Sequence, residues 1–333
     1  MIKIAILGCG TIGKVHADSI SATPRIELHG VCDYSYENAQ ALAAQYGVRA
    51  YKRYEALLSD REIDAVAICT PSGLHADQAI AALNADKHVI LEKPLALTAS
   101  EAKRICLAAE KANTSLHAIF QSRYLSDIQR LKGVIDRGEL GRLVLCDLYM
   151  KYWRDTDYYG QSAWRGTFAM DGGGALMNQG IHGVDLMNYL LGVPRLLGSK
   201  VKTLVHDIEV EDTATALVEY PSGALGVIEA ATSTPPGFER KIEIHGTTGF
   251  AEVINSQLTK LYIKNEAIVD VPPIILPGTA SDPTKLDSSS HRAQYESIAR
   301  LLHGEVALHT GAEDGYAAIR LIEEIYERSK TTD

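Results

Sequence analysis

Hydrophobic positions in the first third of the chain fall in short continuous runs, separated by stretches with helical spacing. Met1–Leu7, Glu27–Asp33, a brief segment at Val48–Tyr51, Asp64–Thr70, His88–Glu92 and Ser115–Gln121 read as six strands. Lys14–Ala22, Glu37–Tyr46, Tyr54–Ser59, Leu74–Asn84 and Ala99–Asn113 read as the helices between them. Near-continuous apolar strands alternating with helices predict a parallel sheet covered on both faces. Six of them suit a doubly wound dinucleotide-binding fold.

The pattern then changes. After a helix at Asp127–Arg137, the stretch Leu143–Trp153 alternates. Val144, Cys146, Leu148, Met150 and Tyr152 fall on one face, and Asp147, Tyr149, Lys151 and Trp153 on the other. Strands follow at Asp212–Tyr220 and Ala224–Thr232, joined by Pro221-Ser222-Gly223. Lys241–His245, Phe250–Ile254 and Leu258–Ile263 continue the run. Beyond that first helix, few remain: one after Gly174, and those at Ala293–His303 and Glu313–Lys330. So few helices leave one sheet face bare, which predicts a homo-oligomer.

Composition narrows the class. The 333 residues suit two domains. A net charge of -9, a pI near 5.7 and a mean hydropathy of -0.05 argue against nucleic acid or an anionic membrane as partner. Cys9, Cys32, Cys69, Cys106 and Cys146 are odd in number and form no CxxC, which fits reduced thiols in a cytoplasm and no metal site. The start MIKIAILGCG has no signal-peptide pattern, and no apolar run is long enough to span a bilayer.

Candidate chemistry gathers at the predicted strand ends. Gly8-Cys9-Gly10-Thr11-Ile12-Gly13 follows the first strand and opens the first helix. In such a turn the glycines allow a tight bend, close approach to a pyrophosphate and helix–strand packing. Asp33 ends the second strand, where a carboxylate accepts hydrogen bonds from an adenosine ribose. The next residues, Tyr34 and Ser35, bring no arginine for a 2′-phosphate, so NAD is favoured over NADP. Other strand ends supply Thr70-Pro71-Ser72-Gly73-Leu74-His75, Glu92-Lys93-Pro94 and Gln121-Ser122-Arg123-Tyr124. A lysine beside the nicotinamide can hydrogen-bond the oxygen being oxidised. A solvated charge pair before a turn is the plainer reading of Glu92-Lys93.

From Gly172 to Gly192 runs GGGALMNQGIHGVDLMNYLLG. At helical spacing Asn178, His182, Asp185 and Tyr189 share a stripe roughly 60° wide. The glycines ahead of it would let a ligand come close. A satisfied structural network is the alternative, and Asp185 is expected to orient a neighbour rather than touch substrate.

GCGTIGKVHAD, TPSGLH, EKP and GGGALMNQGIHGVD together resemble the glucose–fructose oxidoreductase / inositol dehydrogenase / rhizopine catabolism (Gfo/Idh/MocA) family over essentially the whole chain. The resemblance implies an α/β protein: a Rossmann domain over residues 1–122, then an α+β substrate and oligomerisation domain over 123–333 built on a large, open, mainly antiparallel sheet. It implies a cis bond between Lys93 and Pro94, with Lys93 facing the substrate hydroxyl. The family's DxxxH pair maps onto Asn178 and His182, with an amide where many relatives have a carboxylate. Either His182 or Lys93 takes the hydroxyl proton, so Lys93, His182 and Asn178 are the expected catalytic residues.

The cofactor site is expected to comprise Gly8, Gly10, Thr11, Ile12, Gly13, Asp33, Tyr34, Thr70, Pro71, Ser72, His75, Glu92, Lys93 and Gln121, together with Trp164 and Arg165 of the WRGT segment. Lys93, Arg123, Tyr152, Arg165, Asn178 and His182 are the expected substrate contacts. The segment from Tyr149 to Trp164 is rich in rings that suit either a sugar face or sheet packing. GGGALMNQxxHxxD after WRGT is similar to bacterial dehydrogenases that oxidise the 3-hydroxyl of a UDP-N-acetyl-hexosamine or its uronate. A proline-rich loop, Val271–Ser290, reads as a lid or a plain connection. If the substrate is a nucleotide sugar, Lys285 and His291 could reach its phosphate, though nothing in the sequence requires it.

The resulting expectation is an NAD-dependent oxidoreductase acting on a secondary alcohol of a sugar, polyol or nucleotide sugar, as a homodimer or homotetramer. The alternatives are an NAD-dependent glycosidase that oxidises, eliminates and re-reduces, and a regulator that binds NAD and sugar without turnover.

Overall fold

The computed structural model describes residues 1–160, 165–274 and 288–331. It divides into two compact units, Met1–Gln121 with Leu286–Tyr316, and Ser122–Lys285 with Ala317–Asp333. A single boundary at 122/123 does not include that return of the C-terminal chain to the first unit.

In the first unit the apolar runs form β1 (Ile2–Leu7), β2 (Ile26–Cys32), β3 (Arg49–Tyr51), β4 (Ala65–Ile68), β5 (His88–Leu91) and β6 (Leu116–Ala118). They pair parallel in the order β3-β2-β1-β4-β5-β6. Helices α1 (Thr11–Ala22), α2 (Tyr36–Tyr46), α3 (Tyr54–Leu58), α4 (His75–Asn84) and α5 (Ala99–Lys111) connect them. Local chemistry sets several boundaries. The Ser35 hydroxyl caps α2 at the Asn38 N–H (3.4 Å), and Thr98 caps α5 at the Glu101 N–H (3.2 Å). Gly47, at φ 67°, stops α2. Helix α10 (Ser289–Leu302) belongs to this unit, and Tyr295 and Ile298 are buried in the same core as Ile4, Ile6 and Ile20.

The second unit is built on eight strands: β7 (Leu143–Lys151), β8 (Arg195–Lys202), β9 (Thr213–Glu219), β10 (Leu225–Ala231), β11 (Lys241–Gly246), β12 (Gly249–Ile254), β13 (Gln257–Ile263) and β14 (Glu266–Asp270). Their order is β14-β13-β12-β11-β7-β10-β9-β8, antiparallel except where β7 meets β10. The sequence pattern does not mark β8 or β14. β14 is mostly exposed, and β8 carries Gly198 at a register shift, so neither alternates cleanly. On β7, Cys146, Leu148 and Met150 are buried as expected. Two neighbours reverse the expected pattern: Val144 is exposed, while Asp147 is buried because its carboxylate accepts the Val227 N–H (2.9 Å).

Helix α6 (Ser126–Asp136) meets β13 through Asp127, which accepts the Leu258 N–H (3.0 Å). Two short helices, α7 (Thr156–Gly160) and α8 (Phe168–Asp171), precede a π-helical segment, Ala175–Gly180, which runs into α9 (Ile181–Leu191). A Cβ at Gly183 of α9 would lie 2.5 Å from the Met150 sulfur, so glycine lets α9 sit close on β7. Helix α11 (Ala312–Lys330) meets β8 through Ser329, whose hydroxyl accepts the Val201 N–H (2.9 Å). Among the described residues no helix is long and apolar enough to cross a membrane.

Candidate active site

The first unit's strand order reverses between β1 and β4, the point at which open α/β sheets take ligands beyond their strand ends. Each glycine of the turn there has its own reason. Gly8 has φ +102°, and a Cβ on it would lie 2.6 Å from the Cys69 carbonyl oxygen. A Cβ on Gly13 would lie 2.1 Å from the Gly8 oxygen. At Gly10 it would meet nothing within 4 Å among the described residues. Gly8 and Gly13 therefore serve the turn's own packing, whereas Gly10 opens onto free space. Among the described residues no side chain caps α1, and Thr11 is exposed at its first position, with Ile12 half-buried behind it. Uncapped N–H groups at a helix start in front of open space fit a diphosphate.

Asp33 holds the same turn from the second strand. Its Oδ2 accepts the Cys9 N–H (2.7 Å) and its Oδ1 the Ser35 N–H (2.9 Å), while Tyr34 beside it is fully exposed. Burial pushes the Cys9 thiol up to about 12, so it stays protonated and inert.

The next strand ends are tied to each other. Thr70 Oγ1 donates to Gln78 Oε1 (2.5 Å); Pro71 is exposed and Ser72 half-buried in the turn that follows. His75 is buried, with Nδ1 2.8 Å from the Pro94 carbonyl and Nε2 2.9 Å from that of Thr70, and burial draws its pKa down. Its imidazole thus clamps one strand-end loop to the other. The Lys93–Pro94 bond is cis and Lys93 is half-buried. Glu92 faces inward, with Oε2 accepting the Lys93 N–H (2.9 Å) and Oε1 2.9 Å from His16 Nε2. Gln121, half-buried, begins the turn after β6.

In the second unit the glycine-led stretch is not one regular helix. Asn178 lies in the π-helical segment and His182 in the first turn of α9; both are half-buried. A π turn closes i→i+5 rather than i→i+4, so the stripe expected from uniform helical spacing divides. Asn178 Nδ2 donates to Asp171 Oδ1 (2.8 Å), whose Oδ2 accepts the Gly166 N–H (2.7 Å). Asp185 turns away to Arg123, bonded to its Nε (2.9 Å) and Nη2 (2.5 Å), with both side chains buried. The Tyr189 ring lies 5.0 Å below that guanidinium. Arg123 is thereby committed to an internal ion pair.

The glycines ahead of the stripe are packed against the protein itself, one against a side chain and one against backbone. A Cβ on Gly173 would sit 2.3 Å from the Tyr326 hydroxyl, and one on Gly174 would sit 1.9 Å from the backbone carbonyl oxygen of Glu211. The Glu211 carboxylate accepts the Gly174 N–H (2.9 Å), the Leu176 N–H (2.8 Å) and the Tyr326 hydroxyl (2.9 Å), capping a helical start that has no capping side chain of its own. Sequence reading missed Glu211 and Asp171; Glu211 is 35 residues from the Leu176 N–H it accepts, beyond any local capping signal.

Described rings between Tyr149 and Tyr159 pack on each other and on cations. Arg165 lies 4.3 Å over Tyr158, and Arg154 lies 5.5 Å over both Tyr152 and Tyr158. Arg154 Nη2 donates to Gln179 Oε1 (2.8 Å), and Gln179 donates to the Tyr158 hydroxyl (2.8 Å). Tyr152 and Arg165 are half-buried. Trp164, Lys285 and most of the proline-rich loop lie outside the described residues. His291, placed by sequence near a substrate phosphate, is instead buried, with Nε2 3.4 Å from Glu92.

Two family models cover this geometry. One, described as an oxidoreductase family with an NAD-binding Rossmann fold, matches residues 2–120; the other, the GFO/IDH/MocA C-terminal domain, matches residues 128–252. The chain belongs to the Gfo/Idh/MocA oxidoreductase family. Among its relatives, scyllo-inositol 2-dehydrogenase (NAD(+)) of Bacillus subtilis (strain 168) is 30% identical over 259 residues, covering 74% of this chain and 72% of that one. Myo-inositol 2-dehydrogenase of Thermotoga maritima is 27% identical over 276 residues, 80% and 79% of the two chains. The WlbA dehydrogenase from Bordetella pertussis, solved in complex with NADH and UDP-GlcNAcA, has a TM-score of 0.88 at 29% identity and covers 100% of this chain and 97% of that one. This Gfo/Idh/MocA member is an NAD-dependent oxidoreductase of the class that acts on CH–OH groups.

Proposed function

We propose that the enzyme oxidises a secondary alcohol of a nucleotide sugar, an N-acetyl-hexosamine or its uronate carried on UDP, with Lys93 and His182 in the chemistry. The observation that carries this reading is the agreement over the whole chain with a structure holding NADH and UDP-GlcNAcA, joined to a half-buried Lys93 at the end of β5. The cluster of Arg154 and Arg165 around Tyr158 supports an acidic substrate.

The Gly10 turn and Asp33 would hold NAD, which when bound would supply the hydride acceptor. Lys93 hydrogen-bonds the hydroxyl oxygen and polarises it, and His182 takes its proton. Asn178, a neutral amide with its Nδ2 on Asp171, orients the reacting hydroxyl without exchanging a proton. Arg123 is read as an anchor of the fold through Asp185, and His75 and Glu92 as supports of the cofactor edge rather than direct contacts.

The enzyme is further read as a homo-oligomer through the open sheet face, where Leu145, Leu217 and Leu225 are exposed. Five free, buried cysteines support a reducing compartment.

A thermal-shift screen with NAD present, across inositols, aldoses and UDP-sugars, tests the substrate class. Binding to the native state raises the melting temperature by mass action. A UDP-hexosaminuronate is expected to give the largest shift; an inositol shifting more, with no response to UDP-sugars, would reject this substrate.

A further inference from the structure

The glutamate beside Lys93 is buried in a closed network of its own. His16 comes from α1, directly behind the glycine turn; His291 and Tyr295 come from α10; all are buried, as is Glu92. The Tyr295 hydroxyl lies 2.7 Å from His16 Nδ1, and His16 Nε2 lies 2.9 Å from Glu92 Oε1. His291 Nε2 reaches the same oxygen at 3.4 Å, and the other carboxylate oxygen accepts the Lys93 N–H at 2.9 Å.

One hydrogen arrangement satisfies all four contacts. Tyr295 donates to Nδ1 of a neutral His16, His16 and His291 donate from Nε2, and the Lys93 backbone donates to Oε2. Burial favours the neutral form of His16 and alone would favour a protonated Glu92. The hydrogen bonds from the two imidazoles outweigh that and hold the Glu92 carboxyl well below the usual range. The result is a buried carboxylate whose own backbone neighbour is the half-buried lysine.

We propose that Glu92 is the positioning residue for Lys93. Its Oε2 fixes the Lys93 backbone N–H, and its Oε1, gripped by α1 and α10, fixes Glu92. Tyr295 is the outer member, holding His16 in the tautomer that donates to the carboxylate. The edge that carries Lys93 is thereby tied both to the helix opened by the glycine turn and to a helix from the far end of the chain. A carboxylate anchored at both oxygens leaves the Lys93 backbone little freedom, and displacement of a reacting group by an ångström can cost about 100-fold in rate.

This inference rests on the role proposed for Lys93, so Lys93→Ala is measured alongside the Glu92 variants, with NAD affinity read separately from turnover. Glu92→Ala is expected to lower kcat roughly 100-fold while the Kd for NAD changes by less than about 3-fold. Glu92→Gln keeps one oxygen for the Lys93 N–H, and its amide can donate to His16 in the other tautomer. It is expected to recover at least about 10-fold of the loss. Glu92→Ala that binds NAD and turns over within about 2-fold of wild type would overturn the proposal. So would Glu92→Gln no better than Glu92→Ala. Should Glu92→Ala fail to fold, Tyr295→Phe decides. A fall in kcat of about 3-fold or more at unchanged NAD affinity supports the network, and an unchanged kcat rejects it. If Lys93→Ala is itself fully active, the function assigned to Lys93 fails, whatever the Glu92 variants do.

Discussion

Asn178 donates its side-chain N–H to the carboxylate of Asp171 across 2.8 Å, and Asp171 is buried. The position onto which the resemblance maps the acid of the family's DxxxH pair therefore has an acid bound to it. Asn178→Asp would set two carboxylates against each other at that distance, and both cannot ionise together. One would keep its proton, with a folded-state pKa raised above the unfolded value near 3.9. A folded state that holds an extra proton loses stability as pH rises. Relative to wild type, the variant should lose stability from about pH 4 upward, at up to about 1.4 kcal/mol per pH unit until the shared proton dissociates. Thermal melts of both proteins between pH 4 and 8 check this; parallel curves would contradict it.

Arg123 and Asp185 are each about as buried as a core residue, at 5% and 1% side-chain exposure. Removing one partner strands a charge in the interior. Arg123→Ala should destabilise the protein by about 3–5 kcal/mol, whereas Arg123→Met with Asp185→Leu should recover most of the loss. Denaturant melts of the single and double variants separate this from a substrate-binding arginine, whose loss would spare stability and raise KM.

Acid should attack the first unit through His117. Burial, with the nearby His309 and His88, draws its pKa down from 6.5 to about 3, and among the described residues its Nδ1 has no hydrogen-bond partner. Between those values the unfolded chain binds a proton that the folded protein refuses. Stability is therefore complete above about pH 6.5 and falls as pH drops towards 3, by up to about 1.4 kcal/mol per unit. His117→Gln should flatten that part of the stability profile, and an unchanged acid limb would assign the loss to other groups.

The open sheet face yields a test of assembly. Leu145, Leu217 and Leu225 are each more than 40% exposed on neighbouring strands. Light scattering should show a dimer or tetramer at micromolar concentration, and Leu217→Glu should shift it towards monomer. A wild-type monomer would require another explanation for the bare leucines.

The parallel sheet was legible because its strands are buried on both faces, so hydrophobicity alone marks them. The glycine turn was legible because Gly8 and Gly13 meet backbone that no other residue would clear. Less could be read where local sequence and tertiary contact part company. The π turn at Asn178 broke the even spacing on which the stripe was drawn. Gly173 and Gly174 looked like room for a ligand but make room for Tyr326 and Glu211, which are remote in sequence. The return of α10 to the first unit was hidden for the same reason. Its burial depends on Tyr295 meeting His16 across 279 positions, and no local pattern encodes that contact.

The proposed reaction is direct hydride transfer from a sugar carbon to NAD with Lys93 at the hydroxyl. The most direct measurement follows deuterium from the oxidised carbon of a labelled UDP-hexosaminuronate to nicotinamide C4, in wild type and in Lys93→Ala. Label is expected on the nicotinamide with wild type, and transfer slowed by roughly 100-fold or more in the variant at nearly intact NAD affinity. Transfer at equal rates in both proteins, or none from a saturated wild-type complex, would contradict it.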